Sequence, residues 1–130
     1  MPTIFTKIVN GEIPSHKIAE DENCFAFLDI NPLVDGHVLV IPKKEVDYLF
    51  DLDPDTYNQL WIFAKKIAAA IEKAVHCKRI GVAVIGLEVP HAHIHLVPLN
   101  NMDDINFSKP KLHPTQQQLA DVAARIKAAL

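Results

Sequence analysis

Apolar positions recur along the chain with two periods, and the change from one to the other separates strands from helices. The runs from His16 to Glu20 (HKIAE) and from Cys24 to Asp29 (CFAFLD) flank the polar DEN and read as a hairpin of two short strands. NPLVDG is a cluster of turn formers, and His37 to Pro42 (HVLVIP) is a β-branched run of strand length, closed by a proline and followed by two lysines. From Asp53 or Asp55 the period lengthens. Leu60, Phe63, Ala64, Ile67, Ala70, Ile71 and Ala74 fall at helical spacing behind a proline and early acids, which predicts a long central helix. Ile80 to Ile85 (IGVAVI) and His93 to Pro98 (HIHLVP) return to strand character on either side of GLEVPHA. A second amphipathic helix at about 115–129 carries Leu119, Val122, Ile126 and Leu130 on one face, with Pro114 and Thr115 at its start. Strands mostly unseparated by helices predict an antiparallel five-stranded meander of α+β class, with a central helix and a C-terminal one. No repeat, low-complexity tract or linker divides residues 1–130, which read as one domain.

Composition narrows the possible partners. With 130 residues, 49% of them hydrophobic, the chain can bury a core without disulfide staples. A net charge of -3 with interleaved signs offers no basic stripe for a phosphodiester backbone. Polymeric nucleic acid is therefore not the expected ligand, while a small phosphate-bearing molecule stays open. The opening MPTIFTKIVNGEIPS lacks an apolar run of signal-peptide length, and no run of about eighteen apolar residues occurs. The expectation is a soluble cytoplasmic protein, no membrane partner, and Cys24 and Cys77 as reduced thiols.

The chemistry concentrates in VPHAHIHLVP, where three of the seven histidines stand at alternate positions. On a strand His91, His93 and His95 would share one face, about 7 Å apart per step, with Ala92, Ile94 and Leu96 turned to the core. Three readings compete. The imidazoles line a polar sheet face; or they ligate zinc, with a third ligand and a base such as Glu88; or one of them is a nucleophile at phosphorus. Neutral imidazole is nucleophilic near pH 7 and leaves a labile P–N bond that water can break. In that third reading the two flanking imidazoles, one or both protonated, hold phosphoryl oxygens or protonate the leaving group.

HAHIHLVP resembles the His-x-His-x-His-x-x motif, x hydrophobic, of the histidine triad (HIT) family. TIFTKIVNGEIPS, FLDINP and GHVLVIPK resemble that family's other signature stretches in the same order, so the likeness covers residues 3–98. It is nearest the nucleoside phosphoramidase-like branch, which includes many small bacterial proteins. The resemblance implies a five-stranded antiparallel sheet with a packed helix, paired into a homodimer with one continuous sheet. It implies attack on the α-phosphate of a purine nucleotide derivative, with His93 as nucleophile and His91 orienting it through its main-chain carbonyl. His95 and His37 complete the cluster about the phosphate. Asp29 takes the ribose hydroxyls, and Ile4, Phe5, Ile8, Phe27, Ile30 and Leu39 line the purine slot. No cofactor or metal is required for this chemistry. Read alone, His37 would be a polar residue at a strand start, Asp29 a turn-starting acid, and the six apolar residues plain core.

Three departures from the family pattern stand out. Many bacterial members carry a structural zinc on Cys-x-x-Cys, a further His after the Ile-Pro-Lys stretch and a distant His. Here Thr3, Thr6 and Glu45 occupy the first three of those positions, and hydroxyls are poor zinc ligands. The loop before the triad is only IGLEVPH, with Ile85 and Gly86 near the expected Asn and Glu88 where a hydroxyl is expected. A carboxylate there selects a positively charged leaving group, weakens catalysis, or, as the favoured reading, is a solvated loop acid. The C-terminus is a helix instead of an extended tail across the dimer, and residues 113–130 inform neither substrate nor partner.

Overall fold

The computed structural model describes residues 2–130. Three strands come first: β1 (Lys17–Glu20), β2 (Cys24–Leu28) and β3 (Val38–Pro42). The long helix α2 (Pro54–Ala74) follows, then β4 (Arg79–Ala83), β5 (Ile94–Leu99) and a closing helix α3 (Gln116–Ala128). The elements agree with the periodicity to within a residue or two at most ends. One α-helix escaped it, α1 (Ile4–Val9), which is only six residues long and too short for a periodic signal. Its start is chemically legible, since the Thr3 hydroxyl caps it by accepting from the Thr6 N–H. Asp53 and Thr115 cap α2 and α3 in the same way.

All pairings in the sheet are antiparallel, with spatial order β1-β2-β3-β5-β4. The first three strands form a meander, but the last hairpin enters with β5 beside β3 and β4 outside, so the order is not that of a simple meander. Burial explains the choice. Strand β5 is buried on both faces from Ile94 to Pro98, whereas β4 carries exposed Arg79 and Val82 and tolerates an edge. Helix α2 crosses one face of the sheet between β3 and this hairpin.

Alternation along the central strands builds two clusters. Cys24, Ala26, Leu28, Val38, Val40, Ala92, Ile94 and Leu96 pack under α2 and α3. Phe25, Phe27, Leu39 and Ile41 project from the opposite face, where Phe5 of α1 covers them. Fully buried Ile67, Ile71 and Ile94 each stabilise the first cluster by about 1.5–3 kcal/mol. Cys24 and Cys77 are free thiols, and burial pushes the Cys24 thiol up to about 11. No helix among the described residues is long and apolar enough to cross a membrane.

Candidate functional site

Strand parity gathers the site on the face away from α2. Leu39 pairs with His95 and Val40 with Ile94, so His37, Leu39 and His95 lie on one surface while Val38, Val40, Ile94 and Leu96 face the helices. His91 and His93 precede the regular part of β5 but continue its alternation, and Ala92 N–H is tied to the Val46 carbonyl (2.7 Å). All four histidines are buried, with exposures between 0% and 8%. Phe5 stacks edge-on against His91 and His93 at 5.8 and 5.0 Å, and His93 meets His95 at 4.9 Å.

Main-chain partners that can only accept or only donate determine where the ring protons sit. The Nδ1 of His93 lies 2.7 Å from the carbonyl oxygen of His91, so Nδ1–H donates and, in the neutral ring, the lone pair is on Nε2. A second chain begins at Leu33, whose N–H donates to Nδ1 of His37 (3.1 Å). That leaves the proton on His37 Nε2, which donates to Nδ1 of His95 (2.9 Å). His95 Nε2 then carries a proton of its own, available to an oxygen in the site. The main chain thus sets the tautomer of the neutral His93 ring and makes His95 Nε2 a hydrogen-bond donor.

Burial also removes charge from this pair. Desolvation, reinforced by the neighbouring imidazoles and Lys111, takes His37 down to about 3 and His95 down to about 4. His91 is lowered as well, chiefly by desolvation. This runs against the expectation that His91 or His95, the imidazoles flanking His93, is protonated: burial lowers both, and His37 and His95 are neutral in the free site at neutral pH because a charge at either would be unsolvated.

A cavity of about 380 Å³ opens beside these rings. Phe5, Leu39, Val89, His93, His95 and Asp29 line it, together with Glu88 and the later residues Phe107 and Lys111. Burial raises Asp29 above the usual carboxylate range, against the Asn31 N–H that its Oδ1 accepts (2.9 Å). Of the apolar residues expected around a base, Phe5, Phe27 and Leu39 form one buried cluster, with Ile8 packed against it. Ile4 and Ile30 are not brought to it; they are 50% and 55% exposed. Glu88 is an exposed loop residue at the cavity mouth.

Two contributors lay outside the sequence reading. Phe107 stacks on His95 at 4.9 Å and on His37 at 6.2 Å, and Lys111 borders the same space. The residues between the last strand and the last helix carry no hydrophobic periodicity, so nothing in their local pattern marks Phe107 or Lys111.

The HIT domain family model matches residues 10–102. The chain belongs to the HIT family. A Hit-like protein from Bartonella henselae superposes with a TM-score of 0.86 at 34% identity, over 98% of this chain and 96% of that one. A Zn-bound histidine triad family protein from Mycobacterium smegmatis gives 0.83 at 32% identity, over 97% and 91%. The adenosine 5'-monophosphoramidase of Saccharomyces cerevisiae is 36% identical over 96 residues, 73% of this chain and 61% of the yeast protein.

The zinc of the mycobacterial HIT protein invites a test of fit here. Thr3, Thr6 and Glu45 come together, and His91 completes the group. Glu45 Oε1 accepts from the Thr3 N–H (2.6 Å) and the Thr6 hydroxyl (2.7 Å). The Thr3 hydroxyl reaches His91 Nδ1 (2.8 Å), while His91 Nε2–H donates to the Pro42 carbonyl (2.8 Å). Two hydroxyls and an imidazole with both nitrogens engaged do not suit zinc; the network holds His91 by hydrogen bonds instead. These bonds also keep Glu45 below the usual carboxylate range. A different triple, Asp29, His37 and His95, has ligand atoms within 4.8 Å of one another. There too the Leu33 N–H occupies His37 Nδ1 and leaves a proton, not a lone pair, on Nε2.

Proposed function

We propose that this HIT protein is a nucleotide hydrolase or nucleotidyl transferase. It acts at the α-phosphate of a purine nucleotide derivative, a phosphoramidate or a dinucleoside polyphosphate, through a covalent nucleotidyl-His93 intermediate. The observation that carries the reading is the His93 Nδ1–H bond to the His91 carbonyl, which puts the lone pair of the neutral ring on Nε2 beside the cavity. Kinship with the yeast adenosine 5'-monophosphoramidase supports the same chemistry.

In the first half-reaction the Nε2 lone pair attacks phosphorus, a P–N bond forms, and the bond from phosphorus to the leaving group breaks. The positive charge that develops on the His93 ring is stabilised at Nδ1 by the His91 carbonyl, itself held through Thr3 and Pro42. His95 Nε2–H donates to a phosphoryl oxygen, with His37 behind it fixing the tautomer. An amine leaving group departs with a proton taken from solvent; water then attacks phosphorus, the P–N bond breaks, and the proton lost by that water returns to solvent, leaving the free nucleotide and neutral His93. Phe5, Ile8, Phe27 and Leu39 offer an apolar wall to a flat base, and Asp29 can accept from two ribose hydroxyls.

The same reading includes a homodimer. Strand β4 is an edge of the sheet, and Val82, Ile85, Tyr48 and Phe50, which line one depression beside it, are 46–67% exposed. Trp61 Nε1 nearby is buried without a hydrogen-bond partner among the described residues, a gap that a second subunit's acceptor would fill.

Incubating wild type and His93→Ala with an adenosine phosphoramidate tests the function. AMP release from wild type alone is expected, and equal release from both would remove His93 from the nucleophile's role. The rival reading is a metal-dependent hydrolase using the same histidines; the nearest approach to a ligand set is Asp29, His37 and His95, which would bind a metal only after His37 Nε2 gave up its proton. Stoichiometric zinc, lost together with activity on adding EDTA, would establish that reading in place of the covalent one. AMP binding without turnover would mark a nucleotide-binding protein that Glu88 and its short loop have slowed.

A further inference from the structure

The segment after β5 is built to stay in place. Asn101 caps the short 3₁₀ turn Met102–Ile105, Asp103 pairs with Lys109 (3.1 Å), and Leu112 N–H donates to the Pro32 carbonyl (2.9 Å). These ties bring Phe107 onto the His95 ring and Lys111 to the cavity wall. Lys111 is half-buried. Its Nζ donates to the carbonyl of Phe107 (2.8 Å), reaches that of Lys109 (3.4 Å), and lies 5.8 Å from the Phe107 ring centroid. An ammonium has three donors, so at least one remains after the backbone has fixed the group.

The charges around the cavity make that donor consequential. Asp29 and Glu88 both line it, and an incoming phosphate adds further negative charge. The flanking imidazoles His37 and His95 are neutral for the desolvation reasons given above. Among the described residues lining the cavity, Lys111 is the one Lys or Arg. Repulsion between a phosphate and two carboxylates must be offset locally, and a half-buried cation is worth more there than one in open water.

We propose that Lys111 is a phosphate-binding residue of this site, its free N–H taking a non-bridging oxygen of the nucleotide α-phosphate from the side of His95 and Asp29. The inference rests on the nucleotide reading and adds a substrate contact from outside residues 3–98. The segment 100–112 then acts as a fixed clamp that allows a cavity containing two carboxylates to accept an anion.

Lys111→Met keeps the stem and removes the charge; Lys111→Arg keeps the charge. AMP and adenosine binding by calorimetry, and turnover of an adenosine phosphoramidate, are measured for both variants and wild type. Lys111→Met is expected to weaken AMP at least tenfold and to lower kcat/KM by about 10–100-fold, the scale of one charge-assisted hydrogen bond. Adenosine, which has no phosphate, should bind all three proteins alike, and Lys111→Arg should stay within a few-fold of wild type. Unchanged AMP affinity in Lys111→Met overturns the proposal, as does an equal loss for adenosine and AMP, which would mean only a disturbed segment. Wild type that neither binds AMP nor turns over the phosphoramidate would instead overturn the nucleotide reading, and Lys111's role with it.

Discussion

Acid should destabilise this protein well before its carboxylates titrate. His37 and His95 have exposures of 1% and 8% and folded values of about 3 and about 4, against 6.5 for an unperturbed imidazole. Above pH 6.5 both are neutral in the folded and unfolded chains, so they leave the folding equilibrium untouched. As pH falls below 6.5 the unfolded chain binds two protons that the folded site refuses, and stability drops. At pH 5 the gap is about 1.5 units for each ring, about 2 kcal/mol each and about 4 kcal/mol together. His91, lowered chiefly by burial, acts with the same sign. Glu20, Glu45, Asp103 and Asp104 are held below the usual carboxylate range by hydrogen bonds and ion pairs, so their contribution is lost only at lower pH. Urea unfolding at fixed protein concentration, at pH 7.5, 6.0 and 5.0, measures the effect. With a slope of about 2 kcal/mol/M the midpoint should fall by about 2 M across the series. In His37→Asn with His95→Asn the midpoint should start lower but change little with pH. A wild-type midpoint that stays level down to pH 5 would refute neutral, buried imidazoles at these positions.

Other consequences follow from single contacts. Thr3→Val removes the hydroxyl that donates to buried His91 Nδ1 and should cost about 1–3 kcal/mol by urea unfolding, with a fall in kcat from a less firmly held His93. Gly36 has φ +93, and an added Cβ would lie 2.9 Å from Val75 Cγ2 and 3.1 Å from Pro98 Cγ. Gly36→Ala should therefore lower stability by about 1–3 kcal/mol and disturb adjacent His37, read by melting and turnover. Val82→Arg on the β4 edge tests the proposed homodimer: wild type should sediment as a dimer and the variant as a monomer, while the circular dichroism of the fold persists. Glu88→Gln removes a carboxylate from the cavity mouth and should tighten AMP by a few-fold in calorimetry, with unfolding unchanged because the side chain is exposed.

Much of the fold and part of the site can be read from the order of residues. Alternation in CFAFL and HVLVI determines which side chains face the helices, and the same parity puts His37, His91, His93 and His95 on the other surface. Capping residues mark where α2 and α3 begin, because a side-chain oxygen one turn before an apolar stripe is a local signal. Such features depend on neighbours within about a turn or a strand, and the sequence states them directly. Tertiary structure decided the rest. It placed β5 beside β3 and left β4 at the edge, a choice made by burial on both faces. It joined His37 to His95 across 58 positions and Thr3 to His91 across 88, and so assigned the ring protons. It also brought Phe107 and Lys111 back to the triad from a stretch with no periodicity. Where a proton sits and which charge faces a cavity depend on atoms distant in the chain, and those distances exist only once it has folded.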